Sequence, residues 1–187
     1  SLGRFDAIQL GEMPRLSADV SELAPTFYRT YESELADLYL FKGAHLLTIF
    51  ATTPTYIVTN TPINTVDDFA GLKMRAPSAL AGDTISALGA VPVQKPVSEM
   101  YELASTGVVD GTFFAYQPIL DWNVTDFLTD ITQTPGAMGQ SVMGMLINEA
   151  KWNSLEERDR EAIDAIAGEM LAAAAGNAYG EAETRAL

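Results

Sequence analysis

Residues 72–76, LKMRA, set an arginine inside a short apolar stretch that Pro77 stops. Burying an unpaired guanidinium is costly, so Arg75 either reaches solvent or meets an anion. One reading is a salt bridge to one of the 25 acidic residues of the chain. The other is a clamp for a ligand carboxylate, the task that arginine's planar fork suits. Strand ends in open α/β sheets are where ligand crevices form, which places Arg75 well for that task. A second group of residues is Phe113-Phe114-Ala115-Tyr116-Gln117-Pro118, with Trp122 close behind. Four aromatics at the end of a strand either fill a core or present Phe114 and Tyr116 to a cleft.

Other chemistries find little support. His45 is the single histidine and there is no cysteine. That excludes zinc–thiolate sites, iron–sulfur clusters, thiol catalysis and disulfides, and leaves one residue around which to build any histidine-based site. His45 lies in an alternating apolar run and reads as a core or boundary residue. The adjacent acids Asp67-Asp68 and Glu156-Glu157 sit near helix starts, where they complement the helix dipole. Gly107, Gly111, Gly136 and Gly139 lack the spacing and the following Lys-Ser/Thr of a phosphate loop. Asn123-Val124-Thr125 matches a glycosylation acceptor, too short a motif to carry weight. Eleven basic against 25 acidic residues give a net charge of −14. With no basic run, binding to nucleic acid is not expected. This composition leans against an enzyme, and it implies no cofactor and no metal.

The elements that must position Arg75 follow from punctuation and periodicity. With 187 residues, 48% of them apolar and 19% charged, the chain has enough apolar material for a sizeable core. No apolar run reaches the roughly 18–20 residues of a membrane span. Phe5–Leu10 reads as a strand, and residues 31–39 as a helix after a polar stretch with Pro25. Residues 45–52 and 56–59 read as strands on either side of Pro54. Thr65 and Asp68 resemble a capping box for a short helix through Phe69, which Gly71 ends. Strands are predicted at 72–76, 90–93 and 108–114, and a buried one at 142–147. Helices are predicted at 79–88 behind Ser78, at 99–105 behind Ser98, and from Ser154 onward, with 117–127 a mixed amphipathic piece. Alternating strands and helices predict an α/β fold with a mostly parallel sheet. Both ends read as cuts through a longer protein.

Several motifs then stand together in order and spacing: Asp68-Phe69-Ala70-Gly71-Leu72-Lys73-Met74-Arg75-Ala76-Pro77, Leu88-Gly89-Ala90-Val91-Pro92-Val93, Ser98-Glu99-Met100-Tyr101 and Gly107-Val108-Val109-Asp110-Gly111. Gly3-Arg4-Phe5-Asp6 and Lys151-Trp152-Asn153-Ser154-Leu155 support them from the two ends. Over essentially its whole length the chain resembles the DctP-type solute-binding proteins of tripartite ATP-independent periplasmic (TRAP) transporters. The resemblance implies a two-lobed α/β fold of the periplasmic-binding-protein type II kind, with mixed, mainly parallel sheets flanked by helices. Lobe one would hold residues 1–53 and 148–187 and be incomplete, and lobe two would hold 54–147.

It also implies a periplasmic protein that captures an organic acid and delivers it to the membrane permease subunits of its transporter. In the family the arginine of the "GLK-x-R" motif grips the ligand carboxylate, and that arginine is Arg75 here. The segment after "VDG" brings Phe114, Tyr116 and Gln117 to the pocket, and the region before "GLK" brings Tyr56 and Asn60. The loop after the first strand would add Gln9 and Glu12 from lobe one. Some sialic-acid and dicarboxylate members carry a second arginine near Thr55 or Tyr56, and this chain has none. They also carry a polar Gln-Glu-Asn where this chain has Thr112-Phe113-Phe114. One arginine with more aromatic surface suits a monocarboxylate with an apolar or aromatic body. The alternatives are a ligand-binding sensory domain, which a signalling segment would reveal, and an enzyme acting on a small acid.

Overall fold

A computed structural model describes residues 5–17 and 19–187. Ser1–Arg4, which include the Gly3-Arg4 part of the motif read at the start, lie outside the described residues. The chain divides into two compact units, Ser1–Thr53 with Gln140–Ala182 and Pro54–Gly139 with Glu183–Leu187.

The first unit opens with a correction. The segment expected as a strand is a 3-10 helix, Asp6–Glu12, in which only Ile8 and Gly11 are buried. Burial at a three-residue interval, with Ile8 N–H bonding back to Phe5 O at 3.0 Å, is a helical pattern that alternation would not give. The next helix, α1 (Val20–Thr30), begins well before the predicted Tyr31 and contains Pro25. Proline removes a donor from the helix interior, but burial of Val20, Leu23, Ala24 and Phe27 holds the turns on both sides. Asp19 caps it by accepting from Ser21 N–H at 2.8 Å. The chain winds on through Tyr31–Leu35 and Ala36–Leu38 in wider and then tighter turns. Strand β1 (Ala44–Ala51) follows.

The second unit is built on a five-stranded sheet. Its elements are β2 (Tyr56–Thr59), a 3-10 turn at Val66–Phe69, β3 (Lys73–Ala76), α2 (Ala79–Ala87), β4 (Val91–Gln94), α3 (Met100–Ser105), β5 (Gly111–Phe114), α4 (Tyr116–Asp121) and β6 (Asp130–Thr132). The strand order is β4-β3-β5-β2-β6. Parallel pairing is confined to β3 with β4 and β5, whereas β2 runs antiparallel to β5 and β6. The sheet is therefore mixed, with a smaller parallel share than expected. The caps at Thr65–Asp68 and Ser78 form as read: Asp68 accepts from Thr65 N–H at 2.8 Å, and Ser78 Oγ from Ala81 N–H at 3.3 Å. Ser98 does not cap a helix but lies inside a 3-10 turn, Val97–Glu99, that leads into α3. One face of the sheet packs Val58 and Phe114 against Met100, Leu103, Ile119 and Leu128. The other packs Ile57, Met74, Ala76 and Phe113 against Ile63, Phe69 and Ile85.

The chain then returns to the first unit as β7 (Val142–Asn148), which pairs antiparallel with β1. This corrects the domain expectation, because residues 140–147 lie with the first unit and 183–187 with the second. Gln140 Nε2 donates to the carbonyls of Gly11 and Met13, tying the segment to the 3-10 helix there. The sequence predicts a buried β7, yet Met143 and Met145 are 44% and 48% exposed. Its one sheet partner among the described residues, β1, takes the packing instead: Ile49 and Ala51 of β1 lie against Leu23 and Phe27, whereas most β7 side chains have no such cover. Helices α5 (Glu149–Asn153), α6 (Glu157–Asp164) and α7 (Glu169–Ala186) complete the chain. α7 lies close against α1: a Cβ at Gly176 would stand 2.8 Å from both Ala24 Cβ and Val20 O. His45 stacks on Trp152 at 3.7 Å with an interplanar angle of 6°, and its Nε2 lies 3.1 Å from Asp164 Oδ1, a boundary position as read.

Candidate functional site

The second unit brings four of the eight predicted residues together at one end of its sheet, three of them on one sheet face. In the parallel ladder Arg75 stands opposite both Val93 and Thr112. Phe114 is two residues beyond Thr112 and so shares its face. Tyr56 pairs with Phe114 across β2 and β5 and lies on that face too. The C-terminal ends of β3 and β5 and the N-terminal end of β2 thus present a row: Arg75, Phe114, Tyr56. Tyr116, the first residue of α4, closes the row with its ring 4.8 Å from that of Tyr56, tilted by 47°.

Arg75 is 5% exposed. Its Nε donates to Lys95 O at 2.9 Å, and its guanidinium carbon lies 5.9 Å from the Phe114 ring centre. No carboxylate among the described residues pairs with it, so the salt-bridge reading does not hold. Burial by itself pulls the guanidinium from its ordinary range down to about 10. Phe114 is 5% exposed, and Tyr56 and Tyr116 are half-buried. Tyr116 OH accepts from Gln133 Nε2, leaving its own hydroxyl proton to donate elsewhere. Burial, and next the charge of Glu183, hold the Tyr56 phenol above the usual tyrosine range. Directly after β3, Ser78 opens α2, so a helix N-terminus with its partial positive charge stands at the same sheet end as Arg75.

The other predicted residues are placed differently. Gln117 Nε2 donates to Asp121 within α4, and Gln117 N–H goes to Glu183 Oε2 at 3.1 Å. Asn60 follows the C-terminal end of β2, the opposite end of the sheet from Tyr56, where its side chain donates to Asp110 Oδ1 at 3.2 Å. There it fixes the β2–β5 edge and stands apart from the row. Gln9 and Glu12 lie on the 3-10 helix of the first unit. Sequence reasoning missed Glu183, whose carboxylate holds Tyr116 and Gln117. It sits in an alanine-rich helix with nothing local to mark it, and only the fold brings it to α4. Among the described residues no cluster of His, Cys, Asp and Glu could hold a metal, and no helix is long and apolar enough to cross a membrane.

A buried cation without an acidic partner thus stands in an aromatic row at the strand ends of an α/β unit, an arrangement with the chemistry to pair with a small anion. The chain belongs to the DctP family, bacterial extracellular solute-binding protein family 7, whose model matches residues 2–187. It is 31% identical to a TRAP periplasmic solute-binding protein of Bordetella bronchiseptica, solved with bound (R)- and (S)-mandelate, with a TM-score of 0.93 over 100% of this chain and 59% of that one. A marine-metagenome TRAP solute-binding protein specific for aromatic acid ligands, solved with 3-hydroxybenzoate, is 26% identical with a TM-score of 0.91, over 100% of this chain and 58% of that one. The C4-dicarboxylate-binding periplasmic protein DctP of Rhodobacter capsulatus is 33% identical over 126 residues, 66% of this chain and 37% of that protein. The fold is that of the TRAP solute-binding proteins, and this chain spans only part of their length.

Proposed function

We propose that this chain is the ligand-capturing part of a periplasmic TRAP-transporter solute-binding protein that takes up an aromatic or apolar-bodied monocarboxylate and delivers it to a membrane permease. The observation that carries this reading is Arg75: buried, without an acidic partner, and beside Phe114, Tyr56 and Tyr116. A ligand carboxylate supplies the missing counter-charge through two parallel hydrogen bonds, and the aromatic row takes the apolar body. The helix start behind Ser78 adds local positive potential. The relatives that hold mandelate and 3-hydroxybenzoate support an aromatic body. Binding and release need no nucleophile, cofactor or metal, and none is assigned.

A second reading, a C4-dicarboxylate ligand, is favoured by the relative from Rhodobacter capsulatus. The second unit offers it little. Lys95 is engaged by Glu99 at 2.8 Å, Lys73 is exposed, and Arg75 is the sole buried cation among the described residues.

Calorimetric titration of the intact protein with benzoate tests the clamp. Removing one partner of a buried charged pair costs about 2–5 kcal/mol, so Arg75→Ala should bind roughly 30- to several-thousand-fold more weakly. Arg75→Lys keeps the charge without the fork and should recover part of that loss. A well-folded Arg75→Ala protein with wild-type affinity overturns the reading.

A further inference from the structure

Glu183 is the one acidic side chain among the described residues that is as little as 9% exposed. Its Oε1 accepts from Tyr116 N–H at 2.8 Å and its Oε2 from Gln117 N–H at 3.1 Å. These are the first two residues of α4, whose own N-cap, Ala115, offers no side-chain acceptor. A carboxylate from the far end of the chain therefore does the capping that a local Ser or Asp usually does. Two backbone N–H groups point at this carboxylate, and no cation among the described residues forms an ion pair with it. The charge is felt at the row, for it is the first cause after burial of the raised Tyr56 phenol.

The sheet order sets where this charge lies. Arg75 is on β3, Phe114 on β5 and Tyr56 on β2, so the row crosses two strand spacings, roughly 10 Å. The guanidinium marks one side of that row; at the other, the Tyr116 ring lies 4.8 Å from that of Tyr56, and the Glu183 carboxylate holds the Tyr116 backbone N–H at 2.8 Å. We propose that Glu183 is a specificity-determining residue of this site: its carboxylate sets the β2 side of the aromatic row against a second negative charge and so selects singly charged aromatic acids over dicarboxylates. The inference rests on the reading of Arg75 as the partner of the ligand carboxylate. An acid held there by one carboxylate lays its ring along Phe114 and Tyr56 and points any further substituent toward the β2 side. A hydroxyl or amide can hydrogen-bond there, whereas a carboxylate meets a like charge with little water to screen it.

Four probes separate charge from shape: benzoate, 3-hydroxybenzoate, isophthalate, and 3-carbamoylbenzoate, in which an uncharged amide replaces the second carboxylate at nearly the same size. In calorimetric titration of the intact wild-type protein, 3-carbamoylbenzoate should bind at least tenfold more tightly than isophthalate. Equal affinity for these two overturns the proposal, and that comparison needs no variant. Glu183→Gln keeps an acceptor for one of the two amides and removes the charge, so the tenfold ratio should fall to within about threefold. A folded Glu183→Gln protein that keeps the wild-type ratio overturns the proposal as well. Arg75→Ala, titrated with benzoate alongside, separates the two layers. Loss of benzoate binding upholds the underlying reading, and the affinity ratio alone then decides the role of Glu183. Wild-type benzoate affinity in Arg75→Ala, or no binding of any probe by the wild type, overturns the clamp and this inference with it.

Discussion

Arg75 is unusual because the folded protein spends stability on it. A buried guanidinium drawn down to about 10 represents about 3 kcal/mol of unfavourable charge burial. The sign follows from proton counts. Between about pH 10 and the ordinary guanidinium range the unfolded chain holds the extra proton, so stability rises with pH only there. At neutral pH both states are protonated and the cost is present in full. Replacing such a charge by an apolar side chain of similar length is often neutral or stabilising. Arg75→Met should therefore leave the ligand-free melting temperature unchanged or raise it, by about 2–4 °C for each kcal/mol recovered, while it removes carboxylate binding. Differential scanning calorimetry of ligand-free wild type and Arg75→Met checks this. A drop of several degrees would show that Arg75 holds the fold together, and would count against a role in capture.

At the scale of elements, β5 holds the site in register, because it carries Phe114 and sits between β3 with Arg75 and β2 with Tyr56. Its first residue is glycine for a steric reason. A Cβ at Gly111 would stand 2.5 Å from Val58 O and 2.8 Å from Met74 Sδ, the first a backbone atom that cannot move aside. Gly111→Ala should destabilise the protein by about 1–3 kcal/mol, the usual range for overpacking, and urea denaturation should show it as a lower midpoint. A midpoint within error of wild type would mean that the sheet spreads at no cost, contrary to the tight packing described. Much of this unit is legible in the sequence because its signals are local: the Thr65–Asp68 box, Ser78, Pro77 and the glycine stops act within one turn of themselves. The failures have non-local causes. The 3-10 helix at Asp6–Glu12 and the exposed β7 depend on which neighbours are present, since a short apolar run looks the same in either setting. Arg75 can be singled out because its place in a short apolar run signals burial, and a buried guanidinium needs an anion. Glu183 cannot, because its partners Tyr116 and Gln117 lie 67 and 66 residues away. Asn60 escapes the row for a simpler reason: it lies close to Tyr56 in sequence, but a four-residue strand carries it to the opposite end of the sheet.

Across the whole chain the net charge of −14 opposes the proposed function, since an anionic ligand approaches a protein of its own sign. Screening decides how much this matters. At physiological ionic strength the Debye length is about 8 Å, so most of the 25 acidic groups are invisible to a ligand held at Arg75. What remains is local: the guanidinium, the helix start behind Ser78, and Glu183 on the far side of the row. Within a buried pair of charges, added salt has little to screen. The short-range attraction should therefore persist while the long-range repulsion fades, and benzoate affinity should stay constant or improve by up to about threefold between about 20 mM and 500 mM salt. The association rate should show the change most clearly, because repulsion acts on the approach. Titrations and stopped-flow traces of the intact protein across that range measure both. A steep loss of affinity with salt would place the ligand on an exposed charged surface, where screening is effective, and would remove the buried Arg75 from the site.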